Sequence, residues 1–589
     1  MRHHARSDSR AFSRRLVLAT LAIAWLVGSA PAQLARPLDP ILYTVRVIPE
    51  SQTAEVRATI PTGKRASIDL MMPVWSPGFY RVEDYASRVR DLTARTPDGK
   101  SLVVEQPRKN RWLVRTAGAA TVVVTYQVAC AQRSVTTNWV SPQLVVLNGA
   151  PTFVTLVEQV RRPHEVRLEL PATLPRAMTA LDAVADGTAN HYRADDYDTL
   201  VDSPIVAGDL DVQQFDVAGA RHYLVNAGDR GQFNGTQAAG DLQKIVSQAR
   251  ALFGSLPYKR YVFLNVFRQG GGGLEHKNST LLTASAARAT TPAGYRSSLS
   301  FVAHEYFHAF NVKRLRPVEL GPFDYENEPH TKSLWISEGF TSYYAALLVA
   351  RAGLDSTSDF LGAMSSPIRQ LQQAPGRLVQ TLEQSSWDVW SNSMSGINTD
   401  PKTSVSYYVK GEVVGFLLDA HIRRATGGSK SLDDVMRLAY KRYAGERGFT
   451  PEQFRKTAED VARVSLAEWF RRAVSSTEEL DYDEALEWYG LRFASRDSQD
   501  ASQNWKLEPR PDATDAQLAH VRALLTAAPP AGSAGSRSAA RRPTEPDPTA
   551  WHPNAAAALG TPPMRNCPVL PPRTSPRSAD PASRCPAHV

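Results

Sequence analysis

From residue 37 to about 215, apolar and polar positions alternate in short runs. Tyr43–Ile48 and Trp112–Arg115 change character at successive residues, and Thr121–Val128 is a β-branched run. Period-two alternation is the pattern of half-buried strands. Turn signals such as Thr96-Pro-Asp-Gly99 and Asn148-Gly-Ala-Pro151 separate the runs. The pattern predicts an N-terminal all-β domain over 33–215. Beyond it the period changes: 240–252 reads as a helix and Tyr261–Phe267 as a strand. After about 298 helical patterns dominate. Thr450-Pro-Glu-Gln453 offers a capping box with proline at the first helical position, and Ser465-Leu-Ala-Glu468 offers a second. Gly490 is placed to stop a helix, and a modest helix is predicted near 514–526. The pattern therefore divides the chain into 33–215, a mixed region over 216–353 and a helical region over 354–528.

Charge changes the picture mainly at the two ends. The 589 residues carry a formal net charge of +9, which could suggest nucleic acid as a partner. Residues 1–32 and 531–589 each hold a net +4, leaving +1 between them. The folded part has no basic excess, so nucleic-acid binding is not expected. The N-terminal charge belongs to a signal-peptide pattern: Arg14-Arg15, the apolar run Leu16–Val27, then Ala30-Pro-Ala32. The run is shorter than the ~20 residues of a spanning helix. Cleavage after Ala32 and a periplasmic or secreted protein with no remaining membrane span are the expectation, and Ser13-Arg14-Arg15 has some twin-arginine character. Of the 40 prolines, 14 lie in 529–589, a stretch too poor in large apolar residues to fold, so this region is expected to be a disordered tail. Three cysteines exclude a disulfide-built scaffold; Cys130 is expected to pack as a small hydrophobe, and Cys567 and Cys585 could pair.

The chemistry gathers after 300. Residues 304–308 read His-Glu-Tyr-Phe-His inside the stretch 298–311, which has no Pro or Gly and takes apolar faces from Phe301, Val302 and Phe307, so a helix is expected over it. On a helix, positions i and i+4 share a face, so His304 and His308 can bind one metal while Glu305 projects toward its open position. Zinc suits such ligands. A chance pair of histidines on a helix is the plain alternative, so a third ligand matters. Glu338 lies within the apolar string Leu334–Tyr344 and opens a helix running to about Arg351. A carboxylate there is costly unless paired or metal-bound. A structural ion pair is the competing reading. A His2Glu set leaves one position for water, as in catalytic sites.

His304-Glu-Tyr-Phe-His308 followed by Trp335-Ile-Ser-Glu-Gly-Phe340 resembles the gluzincin metallopeptidases. The longer string His304–Pro317 and the early stretch Met72–Tyr80 resemble the glycyl aminopeptidase family in particular. The resemblance spans about 40–495. It implies an N-terminal β domain, an α+β thermolysin-like catalytic domain, further helices and one zinc ion per chain. Many members also carry a C-terminal PDZ domain, but the pattern after Phe493 holds no counterpart, so capture of peptides by such a module is not carried over. The resemblance further implies that Gly270–His276 is the glycine-rich element of aminopeptidases. There Gly272 and Gly273 would let a peptide approach the backbone, and Glu275 would bind its free α-amine; a flexible loop is the alternative. Tyr407-Tyr-Val-Lys-Gly411 resembles the element whose tyrosine stabilises the oxyanion, pointing to Tyr408 with Tyr407 in competition.

The expected activity is zinc-dependent hydrolysis of the N-terminal residue of peptides, Glu305 acting as general base and the family implying Gly or Ala. An endopeptidase with the same centre and a non-catalytic peptide-binding envelope protein are the competing readings.

Overall fold

The computed structural model describes residues 38–526 except 175, 229–230, 392–399 and 501–502. The signal segment expected at 1–32, the tail expected at 529–589, and Cys567 and Cys585 lie outside the described residues.

The first domain is β-rich. Its largest sheet has eight strands and is organised around Ile41–Ile48. That strand pairs antiparallel with Thr53–Pro61, Val45 opposite Val56, and parallel with His164–Glu169, Val45 opposite Leu168. Tyr43, Val45 and Val47 face a core shared with Val56, Val124 and Tyr126, while Arg46 points to solvent. The alternation in the sequence is thus the two faces of one sheet. Two four-stranded sheets complete the domain. Cys130 is fully buried, as expected, and burial pushes its thiol up to about 12.

The second sheet has five strands, in the order Leu210–Val217, Ala220–Ala227, Arg260–Phe267, Ser279–Ala284 and Gly272–Glu275. The boundary expected at 215 falls inside Leu210–Val217. That strand pairs along its whole length with Ala220–Ala227, so it belongs to the second sheet. Arg260–Phe267 has a parallel neighbour on each side and is buried from Tyr261 to Val266. An unbroken apolar run is what a strand covered on both faces requires. Gly272–Glu275 pairs only with Ser279–Ala284 and ends the sheet, leaving its outer edge open among the described residues.

Helices pack around this sheet. Gly235–Phe253 starts five residues before the sequence pattern implied, because Asn234 caps it by accepting from the Gln237 amide. Pro292–Phe307 is capped by Thr291 and has proline at its start. Phe340–Arg351 is buried at every position except Ser342. Such a helix is a core element; truncating Leu347 there should cost about 2–5 kcal/mol. Pro451–Ala462 has the Thr450–Gln453 capping box, and Gly490 ends Asp483–Tyr489 in the left-handed conformation. The second expected box does not form: Leu466, not Ser465, precedes the helix Ala467–Ala473, and no side chain caps it. Asp515–Leu524 follows a Thr514 cap.

Candidate active site

Helix Pro292–Phe307 ends one residue before the second histidine of the motif. His308 forms its C-cap, and the chain turns there instead of running helically to 311. The turn has a chemical consequence. His308 Nδ1 lies 2.9 Å from the Asn311 carbonyl oxygen. A ring N–H at Nδ1 donates to it, so that when the ring is neutral the lone pair lies on Nε2. His304 reaches the same tautomer by another route. Its Nδ1 is 3.3 Å from Ser342 Oγ, whose proton goes to the Glu338 carbonyl oxygen at 3.0 Å, so the hydroxyl accepts from the ring.

Glu338 arrives on a π-helical turn, Trp335–Gly339, at the head of Phe340–Arg351. Asn311 clamps that turn: its amide donates to the carbonyls of Ile336 and Ser337 at 2.8 and 3.2 Å and to Thr341 Oγ1 at 3.1 Å. The three candidate donor atoms then converge. His304 Nε2 and His308 Nε2 are 3.2 Å apart, and Glu338 Oε2 lies 3.4 and 3.2 Å from them. Three ligands on a tetrahedral ion, at bonds of ~2.0–2.1 Å, would stand ~3.3 Å from one another. Donor type, spacing and tautomers therefore fit a metal of zinc's size and preference, with one face open to the cleft. Burial opposes charge on all three groups. The paired histidines nevertheless hold the Glu338 carboxyl low, and the carboxylates Glu338 and Glu275 hold His308 high.

Glu305 is buried beside this triangle. Its carboxylate presses on the backbone of Gly273, where any Cβ would collide with it. Burial pushes the Glu305 carboxyl up to about 8, helped by Glu275 and Glu338 and opposed by His308. Such a group can take and return a proton near neutrality. Glu275 ends the edge strand, with a ligand atom within 4.8 Å of those of Glu305 and His308. It is buried, burial raises its carboxyl, and its Oε1 has no hydrogen-bond partner. Gly272 and Gly273 form the strand edge, and both line the same cleft of about 670 Å³ as His304, Glu305 and Tyr408. The two tyrosines part company here. Tyr408 faces the cleft with its ring 6.1 Å from that of His304, whereas Tyr407 is fully buried behind it, 4.8 Å from Tyr408. Burial raises both hydroxyls well above the usual range, so both keep their protons.

The expected site residues thus come together. Four contributors were not singled out in the sequence. Ser342 and Asn311 orient the histidines, as described. Lys313 and Asp202 form a buried pair at 2.9 Å behind the acidic cluster, Asp202 also lying 3.0 Å from His276 Nδ1. Lys313 Nζ also donates to the Pro77 carbonyl of the β domain at 3.2 Å. Its charge lowers the cost of three carboxylates in one place. Lys313 sits in the string after the second histidine, the one local signal; Asp202 is 111 residues away.

Known proteins resemble this chain in sequence profile and in fold. Residues 42–209 match the profile of the peptidase M61 N-terminal domain, and residues 297–414 match that of the M61 glycyl aminopeptidase. No curated protein sequence matches the chain. Among solved structures, an aminopeptidase N family protein from Idiomarina loihiensis superposes with a TM-score of 0.73 at 28% identity, over 77% of this chain and 78% of that one. Native yeast LTA4 hydrolase is more remote, with a TM-score of 0.46 and 17% identity over 76% of this chain and 68% of that one. The paired N-terminal and catalytic profiles, together with the shared fold of the 28%-identical aminopeptidase N family protein, support an M61 family metallopeptidase.

Proposed function

We propose that this chain is an exported, zinc-dependent aminopeptidase that releases the N-terminal residue of peptides, with glycine or alanine preferred. One observation carries the reading. An unpartnered, buried carboxylate oxygen of Glu275 shares a cleft with Glu305 and with three metal-ligand atoms 3.2–3.4 Å apart. Export rests on the arginine pair, apolar run and Ala30-Pro-Ala32 ending of the first 32 residues. The glycine or alanine preference rests on the family alone.

His304, His308 and Glu338 would hold the zinc, which when bound supplies Lewis acidity toward a carbonyl and acidifies water. The chain's own groups do the rest. Glu275 pairs with the α-ammonium of the substrate and so fixes cleavage after one residue. The edge Gly272–Glu275 receives the peptide backbone, and the absence of side chains at 272 and 273 lets it lie close. Glu305 removes a proton from water as the water oxygen bonds to the carbonyl carbon. Tyr408 donates its hydroxyl proton in a hydrogen bond to the carbonyl oxygen as that oxygen becomes negative. Glu305 then hands its proton to the departing amine nitrogen as the C–N bond breaks, giving a free amino acid and a peptide one residue shorter.

The test pairs zinc content with rate. Glu305→Gln should retain one zinc per chain and lose hydrolysis of alanyl peptides by at least about a thousandfold. Activity surviving that change sinks the mechanism. Equal cleavage of N-acetylated and free peptides by the unmodified enzyme removes Glu275 from its role and leaves an endopeptidase.

A further inference from the structure

The cleft does not end at the glycines. Arg268 stands where strand Arg260–Phe267 gives way to the glycine loop, and it lines both the catalytic cleft and a neighbouring hollow of about 1060 Å³. Its guanidinium carbon lies over the ring of Trp139, 5.7 Å from the centroid. The guanidinium of Arg133, from the β domain, lies over the same ring at 5.5 Å. Neither arginine meets a carboxylate within ion-pair distance among the described residues. Arg268 donates to the Gln269 carbonyl at 2.8 Å and to Thr283 Oγ1 at 3.5 Å, and its buried Nε has no partner. Burial, and after it the like charge of Arg133, lowers the affinity of Arg268 for its own proton. Two cations gathered around one aromatic ring, neither paired with a carboxylate among the described residues, offer a site for an anion.

Register says which anion. A peptide added to the open edge with its amine at Glu275 runs antiparallel to Gly272–Glu275, toward Gly272. Each extended residue advances ~3.3 Å. Gly272 is three residues from Glu275, and its register partner is Thr283, which Arg268 touches. A Cβ on Gly270 would lie 3.2 Å from Arg268 Nη1, so the guanidinium sits beside this stretch of backbone. The third residue of a bound peptide therefore arrives at the arginine pair.

The geometry points to Arg268 and Arg133, braced by Trp139, as a subsite for the C-terminal carboxylate of short peptides, tripeptides above all. The inference rests on the aminopeptidase reading. Charge at the far end makes the enzyme a consumer of the small products that endopeptidases leave, rather than a trimmer of long chains. Glu275 and the arginines measure the substrate from its two ends, opposite charges facing opposite charges.

The zinc-loaded, full-length enzyme tests this with Ala-Ala-Ala and Ala-Ala-Ala-amide, which differ only at the carboxylate. The readout is the ratio of kcat/KM for acid over amide, in which any general loss of activity cancels. The expected ratio is at least about tenfold, carried by KM, and falls toward one in both Arg268→Gln and Arg133→Gln. A ratio near one in the unmodified enzyme overturns the subsite, as does a ratio that survives both substitutions. If Arg268→Gln is too inactive to measure, the exposed Arg133 decides: an unchanged ratio in Arg133→Gln overturns the proposal. Failure of the unmodified enzyme to cleave either peptide strikes the aminopeptidase reading itself, and is thereby told apart.

Discussion

Gly78 of the β domain lies against the carboxylate of Glu275 in the second sheet, so closely that a Cβ at 78 would stand 2.7 Å from Glu275 Cδ. Its φ of +104° independently excludes ordinary side chains. The β domain therefore forms one wall of the pocket assigned to the substrate amine. Gly78→Ala should displace Glu275 and lower kcat/KM for free-amine peptides by about 10–100-fold, zinc content being unchanged. An unaltered kcat/KM would show that the wall plays no part in positioning the amine.

The two tyrosines at the head of helix Tyr407–Ala425 separate by exposure to the cleft. If Tyr408 has the oxyanion role proposed above, Tyr408→Phe removes that donor and should lower kcat by about 10²–10³ with KM little changed. Tyr407→Phe should have a small effect, because its ring lies behind Tyr408 and keeps its packing. The reverse order of losses would assign the hydroxyl to Tyr407.

The candidate metal ligands, whose donor atoms converge in the structure, could be picked out in the sequence because each carries a local signal. His304 and His308 sit a helical turn apart, and Glu338 is conspicuous as a carboxylate within an apolar string. The parts that escaped depend on distant chain or on departures from regular helix. Periodicity ran the motif helix on to 311, whereas tertiary contacts end it at Phe307 so that His308 can reach the Asn311 carbonyl. The π-turn under Glu338 has no sequence signature, since Trp335–Gly339 fits an ordinary helix equally well. Lys313 with Asp202, and Gly78 with Glu275, are pairings across the fold that no spacing encodes. The Ser465 box failed because a capping pattern states only what a helix start could use, and the chain enters that helix through Leu466.

Metal affinity should depend on pH with a definite sign. In the ion-free site, burial lowers the His308 pKa, but Glu338, Glu275 and Glu305 outweigh it and hold the ring protonated above its ordinary range. Zinc binding must expel that proton. Affinity should therefore rise as pH rises through neutrality, by about tenfold per pH unit for one proton. Competition with a chelator between pH 6 and 8 measures the slope, and a flat profile refutes the assignment of His308 as a ligand that begins protonated. Removing zinc with the same chelator should lower the melting temperature, because the ion stabilises only the folded chain.

Acid stability should be set partly by a histidine far from the cleft. His164 is buried between the rings of Tyr43 and Tyr197. Its Nδ1 lies 3.3 Å from the Tyr43 hydroxyl, and its Nε2 has no hydrogen-bond partner. Burial lowers its pKa to about 3, against an ordinary 6.5. In the unfolded chain the ring protonates first as pH falls. Stability present above about 6.5 is therefore lost between there and about 3, at ~1.4 kcal/mol for each pH unit crossed. His164→Phe keeps an aromatic ring and removes the proton site, and Tyr43 retains its hydrogen bond to the Val154 carbonyl. The urea midpoint of the variant should fall less steeply than that of the unmodified chain between pH 6 and 4. His222, lowered to about 4 by burial, accounts for part of the slope that persists. Identical slopes for the two proteins would show that His164 is already charged in the folded state.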